Sequence, residues 1–236
     1  MSPFLAELVG TAFLIVLGDG VVASVILNKS KGNQGGWIVI TMGWAMAVFI
    51  GVYATAKYSG AHLNPAVTFA QALQGKLPWE DVPVYIAAQI AGAMLGALLV
   101  WLAYKKQFDE TPDADTKLGV FCTTPAIRNP KYNFLTEFIA TLVFILAISY
   151  ITGPTAGIGS LDALPVAFVV LAIGLSLGGP TGYAINPARD LGPRLMHFLL
   201  PIPGKRNSDW GYAWIPILGP LTGAAAAAFL YQYFLH

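Results

Sequence analysis

The side chains best placed to act on a solute fall in two short runs. The first is Ser59-Gly60-Ala61-His62-Leu63-Asn64-Pro65-Ala66-Val67-Thr68, and the second is Gly178-Gly179-Pro180-Thr181-Gly182-Tyr183-Ala184-Ile185-Asn186-Pro187-Ala188-Arg189-Asp190. Asn is a favoured N-cap, and Pro at the first helical position gives up an N–H that would have no partner there. Each Asn-Pro-Ala therefore reads as a helix start. A helix N-terminus carries about half a positive charge, so the pair presents roughly one unit. Arg189 follows Asn186 by three residues, which puts both side chains near one face of a helix. Its guanidinium adds a fixed fork of donors. At ~5 Å and an effective dielectric of ~20, one unit charge costs a cation roughly 3 kcal/mol, before the loss of its hydration. Protons are disfavoured in the same way.

The elements that carry these runs belong in a membrane. Charged residues make up 11% of the chain and hydrophobic residues 56%, and the mean hydropathy is +0.64. A soluble domain has about a quarter charged. At about 20 apolar residues per spanning helix, the 236 residues hold six spans, two half-helices and short loops. The expected spans are 3–27, 37–56, 82–104, 132–151, 161–177 and 212–235. The stretches after the two boxes, 67–73 and 189–198, are too short to cross. Half-helices reached through irregular backbone are tolerated at depth only where they are buried in protein or line a watery path. That points to a pore. Segment 105–131 reads as a solvated loop, with four of the twelve acids and five of the thirteen bases. Net charge +1 without a basic run gives no reason to expect nucleic acid, and the lone Cys122, read as a small loop residue, allows no internal disulfide. Met1-Ser2-Pro3-Phe4 lacks a basic region, and Glu7 and Asp19 interrupt the first apolar stretch, so that stretch reads as a retained span.

The halves repeat. Glu7 matches Glu137, Asn64 matches Asn186, and Ala88, Gly92, Gly96 match Gly219, Gly223, Ala227, at offsets of 130, 122 and 131. Repeat 1 covers about 1–108 and repeat 2 about 130–236 of a single domain over 1–236. Three spans per half is odd, so the halves insert with opposite orientation about a pseudo-two-fold axis in the membrane plane. The half-helices then meet N-terminus to N-terminus near the midplane. The Gly92/Gly96 and Gly219/Gly223 pairs are close-packing faces. Glu7 and Glu137, as intramembrane acids, need partners, which the backbone N–H groups of the re-entrant loops can supply. His62 sits beside the first box, at a vestibule or in loop packing, and His197 near a helix end.

Two Asn-Pro-Ala boxes, Asn64-Pro65-Ala66 and Asn186-Pro187-Ala188, in two inverted three-span halves resemble the major intrinsic protein family of aquaporins and glycerol facilitators. The resemblance covers nearly the whole chain. It implies an all-α integral membrane fold of six transmembrane helices plus two re-entrant half-helices, with one pore per subunit of a homotetramer in the cell membrane. It also implies that Asn64 and Asn186 donate to the oxygen of a passing solute, and that Arg189 lines the narrowest part of the pore with Trp44, Gly174 and Tyr183. Water-selective members usually place His at the Gly position. Gly174 would then free space opposite Arg189, while Trp44 and Tyr183 supply aromatic walls, a combination similar to the glycerol-conducting branch. Asp190, Pro216-Ile217 and Tyr104 agree with that branch. Asp190 would hold loop backbone or Arg189, or compensate the helix dipole.

The expected function is passive, bidirectional diffusion of glycerol, water and other small uncharged solutes, without cofactor or metal. Protonated lactic acid, about the size of glycerol and offering similar oxygens, is a further candidate. A secondary transporter is the alternative, but it needs an ionisable couple on a moving element. For an intramembrane enzyme, Gly157-Ile158-Gly159-Ser160 hints at a nucleophile, yet Leu161 follows where such a serine protease has Gly. Orientation divides the expectations. The side of the termini holds only Lys57 and Lys76 of the thirteen bases, which by the positive-inside rule puts the termini outside, whereas the resemblance implies cytoplasmic termini.

Overall fold

The computed structural model describes residues 1–151 and 159–235. The Gly-rich link that begins at Gly153 lies almost wholly outside the described residues, as does the side chain of Ser160. In chain order the helices are α1 (Pro3–Ile26), α2 (Trp37–Ser59), α3 (Pro65–Leu73), α4 (Val82–Ala103), α5 (Lys105–Asp109), α6 (Ala114–Phe121), α7 (Pro130–Tyr150), α8 (Leu164–Leu177), α9 (Pro187–Leu199) and α10 (Ile215–Leu235). Starts are written locally. Ser2 accepts from the Leu5 N–H and Asn129 from the Tyr132 N–H, each at 3.3 Å, with Pro3 and Pro130 as first residues.

Five helices among the described residues, α1, α2, α4, α7 and α10, are long and apolar enough to cross a membrane. The remaining apolar helix, Leu161–Leu177, has the expected bounds but is shorter than the other five and begins irregularly. Residues 161–163 belong to a 3-10 turn, Gly159–Ala163, and α8 proper has 14 residues, with Pro165 in its first turn. At 1.5 Å per residue it spans about 21 Å, less than the ~30 Å hydrocarbon core.

Packing follows the repeat. α1 lies along α4, α7 along α10, and α2 meets α8 across the two halves. The paired small residues explain the close approach: a Cβ on Gly96 would come within 2.7 Å of Ile15 on α1, and one on Gly219 within 2.7 Å of the Glu137 Cβ on α7. Cβ atoms on Gly92 and Gly223 would collide with the backbone carbonyls of Leu8 and Phe138. Each half-helix also packs on the third span of the opposite half, α3 on α10 and α9 on α4, and α3 touches α9. The halves are thus interlocked through the re-entrant segments.

Segment 105–131 departs from its reading as a solvated loop. It forms α5 and α6, and Phe108, Leu118, Val120, Phe121 and Cys122 are buried. Asp113 caps α6 through the Thr116 N–H at 2.7 Å. Charges such as those of the Arg206–Asp115 ion pair lie on the outer side, whereas Lys117 is buried and donates to the Pro203 carbonyl, and the Phe121 ring lies 5.6 Å from His197 on α9.

Candidate functional site

Each box caps its own half-helix and holds the other's approach loop. Asn64 Oδ1 accepts from the Ala66 N–H at 2.8 Å, and Asn186 Oδ1 accepts from Ala188 and Arg189 at 3.0 and 3.2 Å. Asn64 Nδ2 donates to the Ile185 carbonyl at 2.9 Å, and Asn186 Nδ2 donates to the Leu63 carbonyl at 2.8 Å. An amide nitrogen carries two hydrogens, so these bonds use one on each Asn and leave the second uncommitted. Both residues line a cavity of about 360 Å³.

The approach loops bend through unusual backbone. Ala61, Leu63, Tyr183 and Ile185 have φ of 49, 51, 39 and 42°, a left-handed conformation that non-Gly residues adopt at a cost of order 1–3 kcal/mol each. The buried acids offset that cost. Glu7 accepts from Ser59 Oγ at 2.6 Å, from the N–H groups of His62 and Leu63 at 2.9 and 2.7 Å, and from Gln89 Nε2 at 2.8 Å. Glu137 accepts from Thr181 Oγ1 at 2.6 Å and from the Ala184 and Ile185 N–H groups, each at 3.0 Å. A trans peptide points its N–H and C=O to opposite sides. With the N–H groups turned to the acids, the carbonyls of Ala61, His62, Tyr183 and Ala184 turn away from them, toward the cavity these residues line. The result is a row of acceptors interrupted by the two Asn donors. The same cavity is lined by Leu14, Val48, Val52, Val67, Phe144 and Val170. Its lining thus combines polar backbone with apolar side chains.

On the cavity lining the Arg189 guanidinium lies 4.2 Å from the centre of the Trp44 ring, a cation–π contact. Trp44 is seated by Gly18, where any Cβ would overlap its ring. Tyr183 stands edge-on to Trp37 at 5.8 Å, and Trp37 Nε1 donates to the Gly174 carbonyl at 3.0 Å. Gly174 itself does not line the cavity. A Cβ there would come within 2.9 Å of Tyr183 Cζ and of Thr41, so the space it frees is filled by the Tyr183 ring. Gly174 lets the Tyr183 ring lean back against α8.

Among the described residues the Asp190 carboxylate makes no hydrogen bond to the Arg189 guanidinium. It accepts from the Thr123 N–H and Oγ1 at 2.8 and 2.6 Å and from Arg194 Nε and Nη2 at 2.7 and 3.0 Å. Of its three expected roles it fills the loop-holding one, it also lies in the first turn of α9 where an acid compensates the dipole, and its cation is Arg194 rather than Arg189. Arg189 instead faces the Phe121 carbonyl at 3.5 Å and Asp19 Oδ1 at 3.8 Å. His62 lines the cavity, with Nδ1 3.1 Å from Thr68 Oγ1 and its ring 4.9 Å from Tyr85. His197 lies in the last turn of α9, fully buried, with Nδ1 2.8 Å from Ser208 Oγ. Lys205 closes that helix end by donating to the carbonyls of His197, Phe198 and Leu200 at 2.6 to 2.7 Å. Sequence reasoning missed Arg194, Gln89 and the pairing of Asp19 with Arg189. A charge inside an apolar span was the available signal for Asp19.

The family model described as "Major intrinsic protein" matches residues 1–231. The chain is 56% identical to the probable glycerol uptake facilitator protein of Thermotoga maritima over 233 residues, 99% of both chains. It is 51% identical to the glycerol uptake facilitator protein of Streptococcus pneumoniae, with 99% of this chain and 100% of that one covered. Among solved structures it is similar to the aquaglyceroporin from Plasmodium falciparum, with a TM-score of 0.85 and 30% identity over 97% of this chain and 93% of that one.

Proposed function

Because the chain belongs to the major intrinsic protein family, we propose that it is a channel through which glycerol diffuses passively in either direction, with water alongside. The observation that supports this reading is the joint lining of the cavity by Arg189, Trp44 and Tyr183. Arg189 offers donors beside the Trp44 ring it stacks on, and Trp44 with the leaned-back Tyr183 offers aromatic surface. A polyol has hydroxyls along one edge and C–H groups along the other, so it can slide with its oxygens on the donors and carbonyls and its carbons on the apolar side chains. Conduction requires binding that is favourable yet weak, which alternating donors and acceptors supply. Positive half-helix ends and Arg189 oppose cations and protons. Glu7 and Glu137, held by the loop N–H groups, are engaged in scaffolding, which speaks against their serving as the couple a transporter needs.

Protonated lactic acid belongs to the same solute class by size and hydrogen-bonding groups. A homotetramer in the cell membrane with cytoplasmic termini is the assembly the family resemblance implies. Protease accessibility of a tagged C-terminus tests the orientation. Light scattering of liposomes that carry the protein tests the solute. If water flux rises while glycerol flux stays at the lipid background, the polyol reading is wrong.

A further inference from the structure

Asp19 sits within α1, fully buried, and neither of its carboxylate oxygens has a hydrogen-bond partner among the described residues. A buried carboxylate left in that state is costly unless something offsets its charge. What it faces is Arg189, with Nη1 to Oδ1 at 3.8 Å, close enough for a Coulombic pair and too long for a hydrogen bond. Asp19 does not line the cavity, whereas Arg189 does. The acid therefore stands behind the cation as seen from the pore. No other acid can serve. The adjacent Asp190 is taken up by Arg194 and Thr123, and Glu7 and Glu137 are taken up by the loops.

Without a counter-charge the constriction would combine a guanidinium with two positive helix ends. Such a site suits a small carboxylate, which takes a guanidinium fork in a charge-assisted, bidentate way. An anion held there would block a single-file path. We propose that Asp19 is the counter-charge of the filter: it offsets Arg189 so that small carboxylate anions are not retained and the path stays open to neutral polyols. This rests on the polyol reading above. Asp19 acts through Arg189 and touches no solute, so it is a specificity-positioning residue. A unit charge roughly 7 Å from the bound carboxylate, at an effective dielectric of about 20, changes its affinity by at most roughly 50-fold.

The test uses liposomes reconstituted at equal protein with the full chain, with D19N and with D19A. Glycerol and water flux are followed at neutral pH in sodium chloride and in sodium lactate of the same ionic strength, present on both sides. The expected result is that lactate leaves wild-type glycerol flux unchanged and slows glycerol in both variants, with an apparent affinity at least about tenfold higher. Equal lactate response in wild type and in any variant that retains water flux overturns the proposal. So does loss of both water and glycerol flux in both variants at equal incorporated protein, which assigns Asp19 to folding. Absence of glycerol flux in wild-type liposomes under chloride would instead reject the polyol reading itself.

Discussion

Asp190 and Arg194, one turn apart on α9, are wholly buried and joined by two hydrogen bonds of 2.7 and 3.0 Å. Arg194 spends its remaining donors on the carbonyls of Ser208, Asp209 and Thr123 at 2.7, 3.1 and 3.3 Å. The pair ties the second half-helix to segment 105–131 and to the loop before α10. Removing one member of a buried ion pair strands the other, at about 3–5 kcal/mol. D190A is therefore expected to lower the unfolding temperature in detergent, read by tryptophan fluorescence, and to leave the glycerol-to-water flux ratio of surviving protein unchanged. A changed ratio without loss of stability would put Asp190 at the filter after all.

Glu7 and Glu137 accept hydrogen bonds from the N–H groups that precede the two boxes. E7Q and E137Q keep the shape but turn one acceptor into a donor that faces other donors. A buried group left unsatisfied costs about 1–3 kcal/mol. Because the same peptides aim the loop carbonyls, water and glycerol flux should fall together in each variant, by roughly tenfold for every 1.4 kcal/mol lost along the path. Stopped-flow measurement of both solutes checks this, and a fall in glycerol alone would contradict it.

Gly174 bears on width. A Cβ at that position would lie 2.9 Å from Tyr183 Cζ and from Thr41 Cγ2, so G174A must push the Tyr183 ring. The opening side is the cavity. Glycerol flux should drop by about tenfold or more while water flux, which needs less width, drops by less than about threefold. Equal losses for both solutes would mean that the ring does not set the width.

The boxes, the repeat and the acids were legible in the sequence because each is a local signal or a fixed offset. Asn64-Pro65 and Asn186-Pro187 announce helix starts whatever surrounds them, and both become caps. What escaped was long-range. Arg189 and Asp19 are 170 residues apart in the chain, and nothing local to either names the other. Segment 105–131 was obscured by composition, because its nine charges hide Phe108, Leu118 and Phe121, whose burial depends on the distant helices α1, α4 and α9 that α5 and α6 pack on. The role of Gly174 was legible as an absence of bulk, but only the position of Tyr183 tells where the bulk would have gone.

Protonated lactic acid extends the solute range by its chemistry. It offers a hydroxyl and a carbonyl to Asn64, Asn186 and Arg189, all of which line the cavity, and it carries no net charge. The anion must shed its water beside Trp44 and Tyr183, and it gains less from a guanidinium whose charge is partly offset. Flux should therefore track the neutral fraction, falling about tenfold per pH unit above the acid's own pKa. Radiolabelled uptake between about pH 4 and 7, in cells with the channel and in cells carrying R189A, reads this out. The expected outcome is a channel-dependent component that declines with pH in the wild type and is altered by loss of the donor fork in R189A. Uptake that stays flat while the neutral fraction falls by orders of magnitude would sink the prediction and point to passage of the anion or to coupled transport.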